Sequence, residues 1–336
     1  MITSQLGRLA AGQDLTLAEM TDVIDLVMHG GVAENQIALL LTALHHKGES
    51  VDEIAGAALA LRKHMTPIRT SRTGLVDTCG TGGVASELFN ISTTAAIVAA
   101  AAGVAVAKHG NRSITSKSGS ADVLTRLGVN VEAPVAIVER CLDELGICFC
   151  FAPLLHPAMK HVAPIRKKLG IQTIFNLLGP LCNPAGAQFQ VLGVGRRELH
   201  PRLADVLARL GTGRAVVVHG TDGLGEVSLA APTEVIEVRG SATQRCTWQP
   251  EDFGLPTAGT EAMQVDGPEA SASIVRRVLE GEPGPPRDVV LLNAAAALWT
   301  AGIDPSPRGC AERAAEAIDS GAAKVLLDRW AELSGA

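Results

Sequence analysis

The chain has 336 residues, 47% hydrophobic and 19% charged, with a net charge of −6. That length supports a large core and two domains. The acidic balance argues against nonspecific nucleic-acid binding and leaves room only for a local basic pocket. With no tyrosine and aromatics at 3%, a base-stacking surface is not expected.

The first elements are helical. Thr16 and Glu19 form a Thr-x-x-Glu capping box ahead of "MTDVIDLVMHGG", whose glycines stop the helix. "AENQIALLLTALHHKG" predicts a second helix. Ser50 and Glu53 cap a third, which ends near Pro67. Residues 1–68 therefore read as a small helical domain. Its apolar helix over Ile37 to Leu44 reads as a core helix, with a subunit contact as the other possibility.

From Gly74 the pattern changes. "GLVDTC", "VAVAKHG", "GICFCFA", "FQVLGVG", "RAVVVHG" and "TEVIEVRG" read as strands, and helices such as "STTAAIVAAAAG" and "SADVLTRLG" lie between them. Such alternation predicts an α/β domain over residues 69–336, with a mostly parallel sheet flanked by helices. The proline-rich stretch from about 158 to 184 contains two helical pieces that could pack back on the N-terminal helices. From about Asp288 the chain reads as helices again, "DVVLLNAAAALWTAG" being the most apolar.

No apolar run is long enough for a membrane span; Ala95 to Ala107 comes nearest, and no basic-then-apolar leader opens the chain. The seven cysteines form no Cys-x-x-Cys ligand pairs. Cys148 and Cys150 alternate along a strand and read as small buried residues. A reduced, cytoplasmic protein without membrane or nucleic-acid partners is the expectation.

Parallel sheets bind ligands at the carboxyl ends of their strands. Three loops fall there: "CGTGGVASELFNIST", "KHGNRSITSKSGS" and "HGTDGLGEVS". In the first, Gly80, Gly82 and Gly83 let backbone amides approach an anion, and a helix N-terminus with Asn90, Ser92 and Thr93 follows. An ordinary strand-to-helix turn would also suit these residues. Gly80 to Ala85 satisfies the Gly-x-Gly-x-x-Gly/Ala dinucleotide fingerprint too. That motif wants an acidic residue ending the second strand, where this chain has Lys108, which suits a phosphate better. No Gly-Lys-Ser/Thr follows, so the Walker pattern is absent. The second loop gathers Lys108, Arg112 and Lys117 with several hydroxyls. The third brings Asp222 and Glu226, which near phosphates suggest magnesium, though turn-rich surface loops carry such residues as well.

Taken in order, "DTCGTGG", "FNIST", "VAKHGNRS", "SKSGSADVL", "FAPLLHPAMKHVAPIRKKLG", "TIFNLLGPLCNPA" and "VVHGTDGLGEVSL" resemble the anthranilate phosphoribosyltransferase family, from about residue 20 to near the C-terminus. The resemblance implies a homodimer through the N-terminal helices. It implies phosphoribosyl transfer from phosphoribosyl pyrophosphate (PRPP) to the amine of anthranilate, in tryptophan biosynthesis, with Mg2+. It places Gly80, Asn111 and Arg166 on anthranilate. Around PRPP it places Gly80, Gly83, Val84, Leu88, Asn90, Ile91, Ser92, Thr93, Lys108, Asn111, Arg112, Ser113, Ser116 and Ser120. Ser92 and Glu226 are the implied metal ligands. In that chemistry Lys108 is the expected catalytic residue, stabilising charge on the leaving group, and His109 is either a proton acceptor or an orienting or packing residue. The arginine fork of Arg166 matches a carboxylate bidentately.

Three changes, at four positions, depart from the family pattern. Val84 and Ala85 stand where the family has Asp-Gly, Leu88 where it often has a hydroxyl, and Gly225 where its metal loop has Asp beside Glu. Glu87 or Asp222 substituting from a shifted position, reliance on one ion with the second bound weakly, or altered activity would each accommodate these changes. A superfamily relative with another aromatic acceptor and a non-catalytic binding paralogue are the competing functions, with a dehydrogenase behind them.

Overall fold

The computed structural model describes residues 2–81, 87–113 and 117–336. Four helices open the chain: α1 Thr3–Ala10, α2 Leu17–Met28, α3 Glu34–Lys47 and α4 Val51–Lys63. Both capping boxes form, with Thr16 and Ser50 accepting from the amides of Glu19 and Glu53, whose carboxylates return to the cap amides. α1 has no side-chain cap, so no local signal marks it. On α3, Ile37, Leu40, Leu41 and Leu44 are buried, as a core helix requires, while Leu39 is 59% exposed.

Glu53 does more than cap α4. Its fully buried carboxylate accepts from Leu15 N at 3.0 Å, Ser50 N at 2.8 Å and Lys47 Nζ at 2.8 Å. Lys47 also donates to Asp14 and to the Gly48 carbonyl. One carboxylate thus joins the segment before α2, the end of α3 and the start of α4.

The second unit alternates strand and helix: β1 Val76–Gly80, α5 Ile91–Ala101, β2 Val106–Gly110, α6 Ser120–Arg126, α7 Val135–Leu145 and β3 Ile147–Phe151. Short helices follow, α8 Ala152–Leu155, α9 Ala163–Leu169 and α10 Phe175–Leu178. Then come β4 Phe189–Gly193, α11 Leu199–Arg209, β5 Arg214–Gly220, β6 Thr233–Arg239 and β7 Ala242–Trp248. The chain ends in α12 Pro268–Leu279, α13 Pro285–Thr300, α14 Pro307–Asp319 and α15 Ala322–Ser334.

The strands form one sheet in the order β3-β2-β1-β4-β5-β6-β7. β3 to β5 run parallel, and β6 and β7 add an antiparallel hairpin. β7 is absent from the sequence expectations because its residues are exposed up to Trp248, so no apolar alternation marks it. Among the described residues no helix is long and apolar enough to cross a membrane.

Alternate residues of the strands feed two cores. Val216 and Val218 of β5 pack with α5 and α13, whereas Ala215 and Val217 pack into a second core shared with the N-terminal helices. Ala158, Val162, Ile165, Leu177 and Leu181 belong to that second core. The strand order reverses at β1, since β2 lies on one side of it and β4 on the other. The carboxyl ends of β1 and β4 therefore flank a switch-point crevice.

Truncating Glu53 to alanine leaves the ammonium of Lys47 buried and two amides unpaired. Urea unfolding is expected to show a loss of about 3 kcal/mol, the cost of breaking a buried pair from one side, with a smaller loss for Glu53→Gln.

Candidate active site

Three backbones meet at the switch point. Gly80 pairs with Gly193 in register, and Thr81 N donates to Gly193 O at 3.0 Å. A Cβ on Gly193 would sit 1.9 Å from the carbonyl oxygen of Gly225, so the loop after β5 lies directly on the end of β4. Gly225 itself has little room: a Cβ there would meet Gly195 N at 3.0 Å. No side chain fits at Gly193 without moving the third loop.

Beside this junction is a small cavity of about 10 Å3, bordered by Thr78, Ser92, Glu226 and Asn293 among others. It has room for about one water-sized species. Asn293 of α13 holds its wall: its amide oxygen accepts from Val227 N at 2.9 Å, and its nitrogen donates to Val227 O and Val289 O, each at 2.9 Å. The residue after Glu226 is thus clamped to a helix. The sequence signal for Asn293 is one amide in the middle of an otherwise apolar helix.

Lys108 enters from β2. It is 2% exposed, donates to the Thr78 carbonyl, and lies 3.3 Å from Ser92 Oγ. Burial pulls its pKa down, while Asp77, the Cys79 thiol and Glu226 act to raise it. Burial pushes the Glu226 carboxyl up to about 7, with Lys108 opposing. Glu226 is half-buried. Beneath them lies the fully buried Asp77. Its carboxylate accepts from His109 N at 3.0 Å and from Asn183 Nδ2 at 2.8 Å. Burial raises its pKa, and the Asn183 hydrogen bond and Lys108 oppose that.

His109 is held at both ring nitrogens. Nδ1 lies 2.8 Å from Gly179 O, and a carbonyl only accepts, so Nδ1 carries the hydrogen. Nε2 must then accept from His156 Nε2, 3.1 Å away. Burial is the main cause that lowers both imidazoles, His109 to about 3 and His156 to about 4. The pair is neutral and fastens the segment carrying α8 to α10 to the carboxyl end of β2. His156 was not among the expected site residues; a histidine before a proline carries no chemistry that reads from spacing alone.

On that segment Arg166 of α9 is largely buried. Its Nη2 donates to Asn176 Oδ1 at 3.2 Å, its guanidinium lies 5.8 Å over the Phe175 ring, and burial lowers its pKa. Among the described residues it has no carboxylate partner. Four buried side-chain polar atoms there lack a hydrogen-bond partner, and three are Arg166 Nε, His156 Nδ1 and Thr93 Oγ1. Buried polar atoms are rarely left so, and these belong to the elements around the crevice.

The remaining expected residues divide. Ile91 is buried in the core at the start of α5, and Ser92 faces Lys108. The Asn90 amide is spent within the fold: its oxygen accepts from Ser118 Oγ at 2.7 Å and Ser271 Oγ at 2.8 Å, and its nitrogen donates to Ser118 O. Leu88 bridges to Gln264. Asn111 is exposed, and Arg112 turns outward to Glu132 at 2.9 Å and Asp122 at 3.4 Å. Ser113 N donates to Asp122 Oδ2 at 2.9 Å, and Ser120 Oγ to Asn111 O at 3.2 Å. Gly83, Val84 and Ser116 lie outside the described residues. Asp222 accepts from Ser228 Oγ at 2.6 Å and Leu224 N at 3.1 Å, which shapes the turn; it does not border the cavity, and Glu87 is exposed.

A glycine junction at a strand switch point, with a helical bundle packed behind the sheet, is a place where a ligand can bind. Family models give the class: residues 72–324 match the glycosyl transferase family a/b domain, and residues 4–65 its helical bundle domain. Anthranilate phosphoribosyltransferase of Anaeromyxobacter dehalogenans is 52% identical over 327 residues, 97% of each chain. The crystal structure of the Thermus thermophilus enzyme of that name superposes with a TM-score of 0.92 at 45% identity, covering 98% of this chain and 99% of that one. The Saccharomyces cerevisiae enzyme, solved in complex with PRPP and Mg, gives 0.89 at 28% identity over 99% and 98%. The chain belongs to the anthranilate phosphoribosyltransferase family.

The buried histidines have a consequence for acid stability. Unfolded, each binds a proton below about pH 6.5, whereas folded they stay neutral to about 3 and 4. Stability is therefore expected to fall as pH drops below about 6.5, by about 2 kcal/mol per histidine between pH 7 and 5. The raised Glu226 and Asp77 act in the opposite sense, Glu226 within this same pH range, so the two histidines together are only partly offset. Urea unfolding at the two pH values checks this, and a His109→Asn, His156→Gln variant is expected to flatten the dependence.

Proposed function

We propose that the protein transfers the phosphoribosyl group of PRPP to the amine of anthranilate, giving N-(5-phosphoribosyl)anthranilate and pyrophosphate, in tryptophan biosynthesis. The observation that carries the acceptor side is Arg166: a largely buried guanidinium with an unpartnered Nε and no acid beside it. A planar carboxylate satisfies it. Gly80 and Asn111 complete the acceptor set in this reading.

The donor side rests on the glycine junction, the α5 N-terminus with Ser92 and Thr93, and Lys108. Departure of pyrophosphate leaves an oxocarbenium-like centre on the ribose. Lys108 stands where charge grows on the leaving group and stabilises it from a dry site. The aniline nitrogen is neutral at pH 7, so orientation matters more than a strong base. His109 fits an orienting role, because both its nitrogens are already engaged.

The Ser92 hydroxyl and the Glu226 carboxylate, bordering one cavity, are the hard oxygen donors that Mg2+ takes. When bound, the ion supplies charge neutralisation to the pyrophosphate. With Gly225 in place of an acid and Asp222 committed to its own turn, Glu226 is the carboxylate left for that duty among the described residues. This favours reliance on one ion, with activity kept. The same reading takes residues 1–68 and 69–336 as the two domains, places the chain in the cytoplasm, and pairs two copies through the N-terminal helices, where Leu26 and Leu39 are exposed.

Product fluorescence with anthranilate and PRPP tests the activity directly; no turnover with this acceptor beside turnover with another aromatic amine would move the chain to a sister specificity. Arg166→Lys is expected to raise the KM for anthranilate about tenfold to a hundredfold, the worth of a charge-assisted hydrogen bond, with the KM for PRPP unchanged. Protonation of Glu226 removes a metal ligand below about pH 7. The Mg2+ concentration for half-maximal rate is thus expected to rise about tenfold from pH 8 to pH 6, and Glu226→Gln is expected to abolish that dependence.

A further inference from the structure

Away from the crevice, where α2 and α4 end, three metal-binding side chains converge. Asp25 and His29 stand four residues apart and share one face at the end of α2. His64 caps α4, which packs along α2. His64 Nε2 lies 2.8 Å from Asp25 Oδ1, and His29 Nδ1 lies 3.5 Å from Asp25 Oδ2. The two imidazole rings meet edge to face with centroids 4.5 Å apart. One ligand atom from each of the three lies within 4.8 Å of the others.

We infer that Asp25, His29 and His64 form a binding site for a divalent transition-metal ion of the zinc type. Two imidazoles and one carboxylate are a recurrent open ligand set for such ions. Ligands at about 2.0–2.1 Å from zinc stand about 3.3 Å apart in a tetrahedron, and the two Asp25–imidazole distances, 2.8 and 3.5 Å, lie on either side of that value. The carboxylate is already flanked by one imidazole on each oxygen, so the ion replaces the protons that now hold the cluster together. His29 Nδ1 also lies 2.9 Å from the Asp25 carbonyl, a hydrogen bond it must exchange for the metal. Its side chain is 63% exposed, so the ring is free to make that move and the outer coordination positions open to water. Lys63 is the nearby cation acting on Asp25, and it competes only through solvent. Mg2+, which prefers oxygen ligands, is not the ion for this set.

The place in the fold gives the site a consequence. His64 is the first residue of the connection from the helical bundle to β1. An ion held there pins the end of α2 to the point where the chain leaves the bundle.

Chelator-treated protein titrated with Zn2+ in excess Mg2+, followed by calorimetry, tests the assignment. One equivalent is expected to bind, and His29→Ala and His64→Ala are each expected to weaken it at least about tenfold. Co2+ in place of Zn2+ is expected to give visible ligand-field bands that Asp25→Asn removes. His29→Ala alters a largely exposed ring and spares the His64–Asp25 hydrogen bond, so it tests the site without threatening the fold. Absence of binding to the wild type, or equal Zn2+ affinity in the wild type and His29→Ala, overturns the inference.

Discussion

The site is built on a steric constraint: three main chains pass so closely at Gly80, Gly193 and Gly225 that the middle one tolerates no side chain. Parallel pairing sets the first contact, since β1 and β4 share register to their last residue. The second contact draws the β5–β6 connection onto the end of β4 and brings Glu226 to the cavity beside Ser92. Asn293 then holds that connection from the other side through Val227.

Electrostatics follow from that closeness. Lys108 is buried without a direct carboxylate contact, so its charge is balanced at a distance by Asp77 below and Glu226 across the cavity. The two neighbouring histidines stay neutral and add no competing charge. Asp77 spends its oxygens on the backbone of His109 and on Asn183, which fixes the end of β2. The lysine ammonium is held on Thr78 and Ser92, while the Arg166 guanidinium is held by Asn176 and lies over Phe175. Two cations with different partners suit two ligands of different charge and shape.

Local chemistry was legible in the sequence, and long-range chemistry was not. The capping boxes at Thr16 and Ser50 and the strand end at Gly110 read correctly because a few adjacent residues decide them. α1 lacks a cap, and β7 faces solvent along almost its whole length, so neither leaves a periodic trace. Asn90 looked like a ligand residue from its place at a helix start, but its amide is spent on Ser118 and Ser271, which are distant in sequence. His156 and Asn293 escaped notice for the converse reason. Each owes its role to a partner far along the chain, and a lone histidine or asparagine carries no signal until that partner is placed.

The departures from the family pattern now have a partial physical account. At Gly225 a side chain would press on Gly195 N, so an acidic residue there would require the loop to stand further from β4 than it does. Leu88 bridges to Gln264 and so ties the entry to α5 by backbone pairing. The consequence falls on charge. Glu226 is the carboxylate bordering the cavity, so the negative potential facing the buried Lys108 ammonium comes from it and from Asp77 below.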